Sequence, residues 1–169
     1  QQFIVEMERA GILRLGERVV FRHRSFLDYF IALRLFDHRE EVENLDEEIT
    51  KLYFSDLWTD VAFYYVGQKR EMSSALVSSI SESQAEGFDS NILRFLIGRL
   101  LQAGWHTPSE IKEQAISVAL QSVEPIYRYL SKLIAPHKER IPAIFPDFFL
   151  FALSQYSFAS KTLLQETLT

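Results

Sequence analysis

The chain contains no cysteine. That removes disulfides, thiolate zinc sites, iron–sulfur clusters and cysteine nucleophiles together, and it fits a reducing compartment. Glycine and proline are scarce, six and five in 169 residues. An all-β domain needs more turn residues than that, so helices are favoured. The four histidines, His23, His38, His106 and His137, are far apart and form no HExxH pair, which argues against a metal site. The longest apolar runs, such as residues 148–153, fall far short of the ~18 residues a membrane helix needs. Positive charge is in deficit. The net charge of −5 argues against a broad nucleic-acid surface, although local basic patches survive it around Arg22, Arg24 and Arg34.

Catalytic signatures are missing as well. No G-x-x-x-x-G-K-[ST] loop and no G-x-S-x-G elbow occurs, and Gly11, Gly16, Gly67, Gly87, Gly98 and Gly104 are too dispersed to cradle a phosphate. No pair of carboxylates stands in an apolar setting, so nothing points to a self-contained enzyme. What the chain does have is apolar surface: 47% hydrophobic residues and 14 Phe. That is too apolar for disorder, and at this length roughly 70% of the unfolded surface can be buried. The chain opens on Gln1 rather than Met and runs directly into a patterned segment with no apolar signal, so it reads as a piece of a longer protein.

Two regions differ in organisation. Phe3, Ile4, Met7 and Ala10 repeat at helical spacing and stop at Gly11, a C-terminal cap. Residues 12–15 and 18–21 are short apolar stretches around Gly16-Glu17, which suits a tight hairpin. Ser25 then suits a helix cap with Asp28 facing back to it, and Phe26, Tyr29, Phe30, Leu33 and Phe36 mark one helix face. Helix, hairpin, helix is how the end of a winged-helix domain reads.

From residue 40 the pattern is helical throughout. An acidic helix carries Val42, Leu45, Ile49 and Leu52 as its stripe. Ser55 caps the next helix and Gly67 ends it, and a more polar helix spans residues 73–81. A single apolar helix covers residues 91–103 with Gly98 inside. Thr107 caps a helix with Pro108 at its first position and Glu110 completing the box, and Pro125 begins another. Phe145, Phe148, Phe149, Phe151, Tyr156 and Phe158 form an aromatic-dense end, read as core with a partner surface as the alternative. The expected architecture is mainly α: a partial winged helix over residues 1–37, then an irregular, HEAT-like α-solenoid over residues 38–169.

The informative segment is residues 19–32. His23 falls between a strand and a helix start, where backbone N–H groups are unpaired and the dipole attracts anions. A His there can donate to a phosphate, or it can simply bond a backbone carbonyl; residue types alone leave both open.

Phe21, His23, Ser25, Phe26, Asp28, Tyr29, Phe30 and Ala32, preceded by Gly11-Ile12-Leu13 and the hairpin, fit the pattern F-x-H-x-S-F-x-[DE]-[YF]-[FL]-x-A. This resembles the winged-helix end of NACHT-type STAND NTPases, signal-transduction ATPases that include inflammasome receptors and bacterial anti-phage proteins. Asp28 stands where many members carry Glu, and Ile31 where Ala is common. Residues 58–67 also resemble the first helical pair after the winged helix in bacterial members.

The resemblance implies that His23 contacts the β-phosphate of bound ADP and holds a closed, inactive state. Phe21, Ser25, Phe26, Asp28 and Tyr29 are the supporting motif. ADP or ATP with Mg would be held by an upstream NACHT ATPase domain, and none by this piece alone. The implied protein is a cytoplasmic switch in innate, antiviral defence that recognises a protein trigger and forms homo-oligomers. Two alternatives come from other classes. One is a winged-helix DNA-binding regulator with a helical dimerisation domain, using Arg14, Arg18, Arg22 and Arg24 on phosphates, although its first helix carries Glu6 and Glu8 against one Arg. The other is a plain helical-repeat scaffold.

Overall fold

The computed structural model describes residues 2–16, 18–55, 57–137 and Asp147. Helix α1 (Gln2–Arg9) leads into β1 (Leu13–Arg14) and β2 (Val20–Phe21), followed by α2 (Arg24–Asp37). The array continues with α3 (Leu45–Tyr53), α4 (Thr59–Lys69), α5 (Ser74–Glu82), α6 (Phe88–Phe95), α7 (Gly98–Ala103) and α8 (Ser109–Ile134), closed by a 3-10 turn (Ala135–His137). The fold is mainly α with one small antiparallel hairpin. The aromatic-dense end lies outside the described residues.

Gly11 stops α1 as expected. Its φ of 74° is left-handed, and the amides of Gly11 and Ile12 close back on the Glu8 and Met7 carbonyls at 2.9 Å each. The hairpin pairs Leu13 with Phe21 and Arg14 with Val20, so residues 15–19 connect the strands, a longer link than the tight turn expected. Ser73 caps α5, its hydroxyl accepting from the Leu76 amide at 3.1 Å.

The main core joins α2 through α5 with α7 and the first half of α8. Ala32, Ile49, Val61, Val66, Leu76, Ile80, Leu100 and Ala115 are buried at its centre. A second cluster, Phe95, Ile126 and Leu130, lies between α6 and the second half of α8. A fully buried side chain of this kind contributes about 1.5–3 kcal/mol.

Several helix boundaries differ from expectation. Trp58, not Ser55, holds the cap position of α4. The acidic helix starts at Leu45, so Val42 lies outside it. Helix α4 runs past Gly67 to Lys69, and Arg70 at φ 63° ends it with its amide on the Val66 carbonyl, 2.7 Å away. Residues 91–103 do not form one helix. The chain breaks at residues 96–97, where α6 leaves its partner α8 and α7 turns onto α4. Pro125 starts no helix but sits inside the 26-residue α8. An interior proline costs ~3 kcal/mol against Ala. Here its ring is on the exposed side, and the buried stripe Val118, Ser122, Ile126, Leu130 and Ile134 passes it in phase. One helix therefore spans both cores.

Thr107 does not cap α8 either. Its hydroxyl accepts from the buried Met72 amide at 2.8 Å and donates to the Gly104 carbonyl, and Pro108 holds the cap position.

Candidate functional site

The junction between β2 and α2 is built by the hairpin ladder and by aromatic anchors behind it. The Arg22 amide donates to the Ile12 carbonyl at 2.9 Å, extending the ladder one step beyond β2. Phe21 packs on Phe30 with ring centroids 5.7 Å apart. Tyr29 meets Phe30 at 5.5 Å and reaches Tyr64 of α4 at 5.9 Å, both edge to face. Phe21 and Tyr29 thus anchor the junction through these ring contacts.

His23 itself is exposed. It holds the N-cap position of α2 with extended backbone (φ −130°, ψ 142°) and its ring caps nothing. Its side-chain neighbour is Phe26, ring centroids 6.0 Å apart. Arg14, Val20, Phe21, Arg22 and His23 line an open cleft of about 420 Å³.

The expected Ser25–Asp28 capping box does not form. Ser25 is exposed inside the first turn of α2, while Asp28 is buried. Arg24 takes the carboxylate instead, its Nε donating to Asp28 Oδ1 at 2.9 Å. A buried carboxylate needs a charge partner close by, and the i,i+4 spacing brings Arg24 to it. The same guanidinium donates to the Leu57 carbonyl and lies 3.9 Å from the centre of the Trp58 ring. Arg24 therefore joins Tyr29 in tying the His-bearing junction to the helical array. In the sequence Arg24 stands only as one of a basic group. The signal available was its spacing of four from Asp28.

Elsewhere, a wider groove between α3 and α5 is lined by Asp46, Glu47, Glu82 and several hydroxyls. No group of His, Asp and Glu capable of holding a metal occurs among the described residues. None of their helices is long and apolar enough to cross a membrane.

Comparison with known proteins found no matching family model, curated protein or solved structure.

Proposed function

We propose that the chain is the regulatory and sensor part of a NACHT-type STAND NTPase, an ADP/ATP-controlled switch in defence signalling. The observation that supports the reading is His23: an exposed imidazole at a strand-to-helix junction, without a ring hydrogen bond among the described residues and flanked by two arginines. Among the described residues its ring bonds no backbone carbonyl, whereas a structural histidine would bond one. In the proposed switch, ADP held by an upstream ATPase domain meets His23 and keeps the protein closed. A protein trigger on the helical array favours the open, oligomerising state. The array sits one residue from the sensor through Arg24, so a shift of α4 is felt at the junction.

In the full-length protein, His23→Ala is expected to shorten ADP retention and raise basal activity. Unchanged retention with unchanged basal activity would refute the role. The basic hairpin supports one second reading, a phosphate-tracking wing on DNA, and salt-dependent duplex binding by this chain is its signature.

A further inference from the structure

Helix α8 spans both cores, and its two halves are not covered alike. Among the described residues its first half packs into the main core, while its second half packs on α6. Ile126, Leu130 and Ile134 form the buried line of that second half. Tyr129 and Leu133 lie one turn apart on one flank of the line, and Tyr127 lies on the other. Their exposures are 48%, 59% and 43%. The apolar arc from Tyr129 round to Tyr127 is therefore about 160° wide, against roughly 100° for a helix with a single apolar stripe. Phe88 of α6 stacks on Tyr129 with ring centroids 4.4 Å apart, so the Tyr129–Leu133 flank continues an aromatic surface that α6 begins. The opposite face of α8 is polar, and Glu124 and Arg128 form an exposed ion pair there.

The chain itself carries a matching element. Residues 138–146 and 148–169 lie outside the described residues. Their sequence sets Phe148, Phe149, Ala152 and Tyr156 on one stripe of a helical period, with Pro146 suited to a first turn. Asp147, which is exposed, falls on the opposite side of that period. Pro136 and Pro142 oppose a straight continuation of α8. Reach is sufficient. The 3-10 turn ends at His137, and the chain from there to Phe148 can extend roughly 36 Å, longer than the ~20 Å of the second half of α8.

We propose that the aromatic stretch 148–156 docks along the second half of α8, on Tyr129 and Leu133, and closes the second core. The proposal is independent of the switch reading of His23. Phenyl rings laid on a Tyr–Leu pair bury a large apolar area. The competing occupant of the face is a second copy of this chain.

The test takes two measurements on the whole chain. The first needs no substitution. Nuclear Overhauser contacts are recorded between the Leu133 methyl groups and the ring protons of Phe148 and Phe149, in a mixture of differently labelled chains that separates contacts within a copy from those between copies. Contacts within one copy are expected. The second uses the absence of cysteine. Leu133→Cys is combined with Phe148→Cys or with Phe149→Cys, and Arg128→Cys, on the polar face, is combined with the same two. Leu133 and Arg128 are exposed, and a melting curve verifies folding of each variant. Under mild oxidation the Leu133 pairs are expected to close an intramolecular disulfide about tenfold faster than the Arg128 pairs. Equal rates would overturn the docking, as would the absence of Leu133–Phe contacts within one copy. Contacts or disulfides formed only between copies would overturn it too and give the face to a second copy. If a variant does not fold, the Overhauser contacts of the unsubstituted chain decide.

Discussion

Arg24 and Asp28 form an ion pair in which only the acid is buried: the Asp28 side chain is 4% exposed, that of Arg24 45%. The asymmetry predicts unequal losses. Arg24→Ala strands a carboxylate inside the junction and also removes the Trp58 and Leu57 contacts, so it should cost about 2–4 kcal/mol. Asp28→Ala leaves an arginine that water solvates, and should cost about half as much. In urea unfolding, the double variant should be less destabilised than the sum of the two. Strict additivity would mean the pair is not coupled.

His23 occupies a cap position that Ser or Asp would fill better. Its backbone already has cap geometry and its ring contributes no cap bond. His23→Ser is therefore expected to stabilise the chain by about 0.5–1 kcal/mol in thermal unfolding. A loss of stability would show that the imidazole holds the fold. A gain would mean the residue stands there at a cost to the helix, as functional positions often do.

Tyr53 governs the alkaline limit. Its ring is buried between α3 and α6 and its hydroxyl donates to the Leu93 carbonyl. Burial pushes the phenol well above its ordinary range, and burial raises Tyr65 as well. Both groups are held neutral in the folded state and ionise in the unfolded chain near pH ~10. Their contribution is complete below that pH and is lost as the pH rises above it. The urea midpoint should fall between pH ~9 and ~11, and Tyr53→Phe should flatten that slope while costing about 1–2 kcal/mol at neutral pH.

Gly104 is required by a close approach rather than by its backbone angle. A Cβ there would lie 2.9 Å from the Thr107 hydroxyl oxygen, 2.9 Å from Val66 Cγ1 and 3.1 Å from the Met72 backbone nitrogen. Gly104→Ala should thus cost about 1–3 kcal/mol or more through forced repacking. Thr107→Val should cost about 1–3 kcal/mol by leaving the buried Met72 amide without an acceptor, and Thr107→Ser should restore most of it. Hydrogen exchange at Met72 reads both directly, rising sharply in the Val variant and staying slow in the Ser variant.

Elements announced by local signals were legible in the residues. The Gly11 stop, the hairpin between two apolar stretches and the stripe of α2 each depend on residues near one another in the chain. The site was legible to the same depth. The residues place His23 at a strand-to-helix junction, but the spacing that pairs Ser25 with Asp28 also fits a competing partner. Local pattern cannot say which of Ser25 or Arg24 receives Asp28. That depends on whether the carboxylate is buried, which the packing of α2 on α4 decides.

By itself, then, the sequence determined that the chain is helical, that one hairpin interrupts it early, and that a histidine follows the hairpin at a helix start. Those outcomes follow from periodicity, scarce Gly and Pro, and the conformational freedom of Gly11. Only the tertiary structure decided that Arg24 reaches Trp58, that Thr107 serves Met72 rather than its own helix, that the chain breaks at residues 96–97 and that α8 runs through Pro125. Each joins residues more than thirty apart or trades a local cost for burial in one of two cores, and contacts at that range leave no period in the sequence.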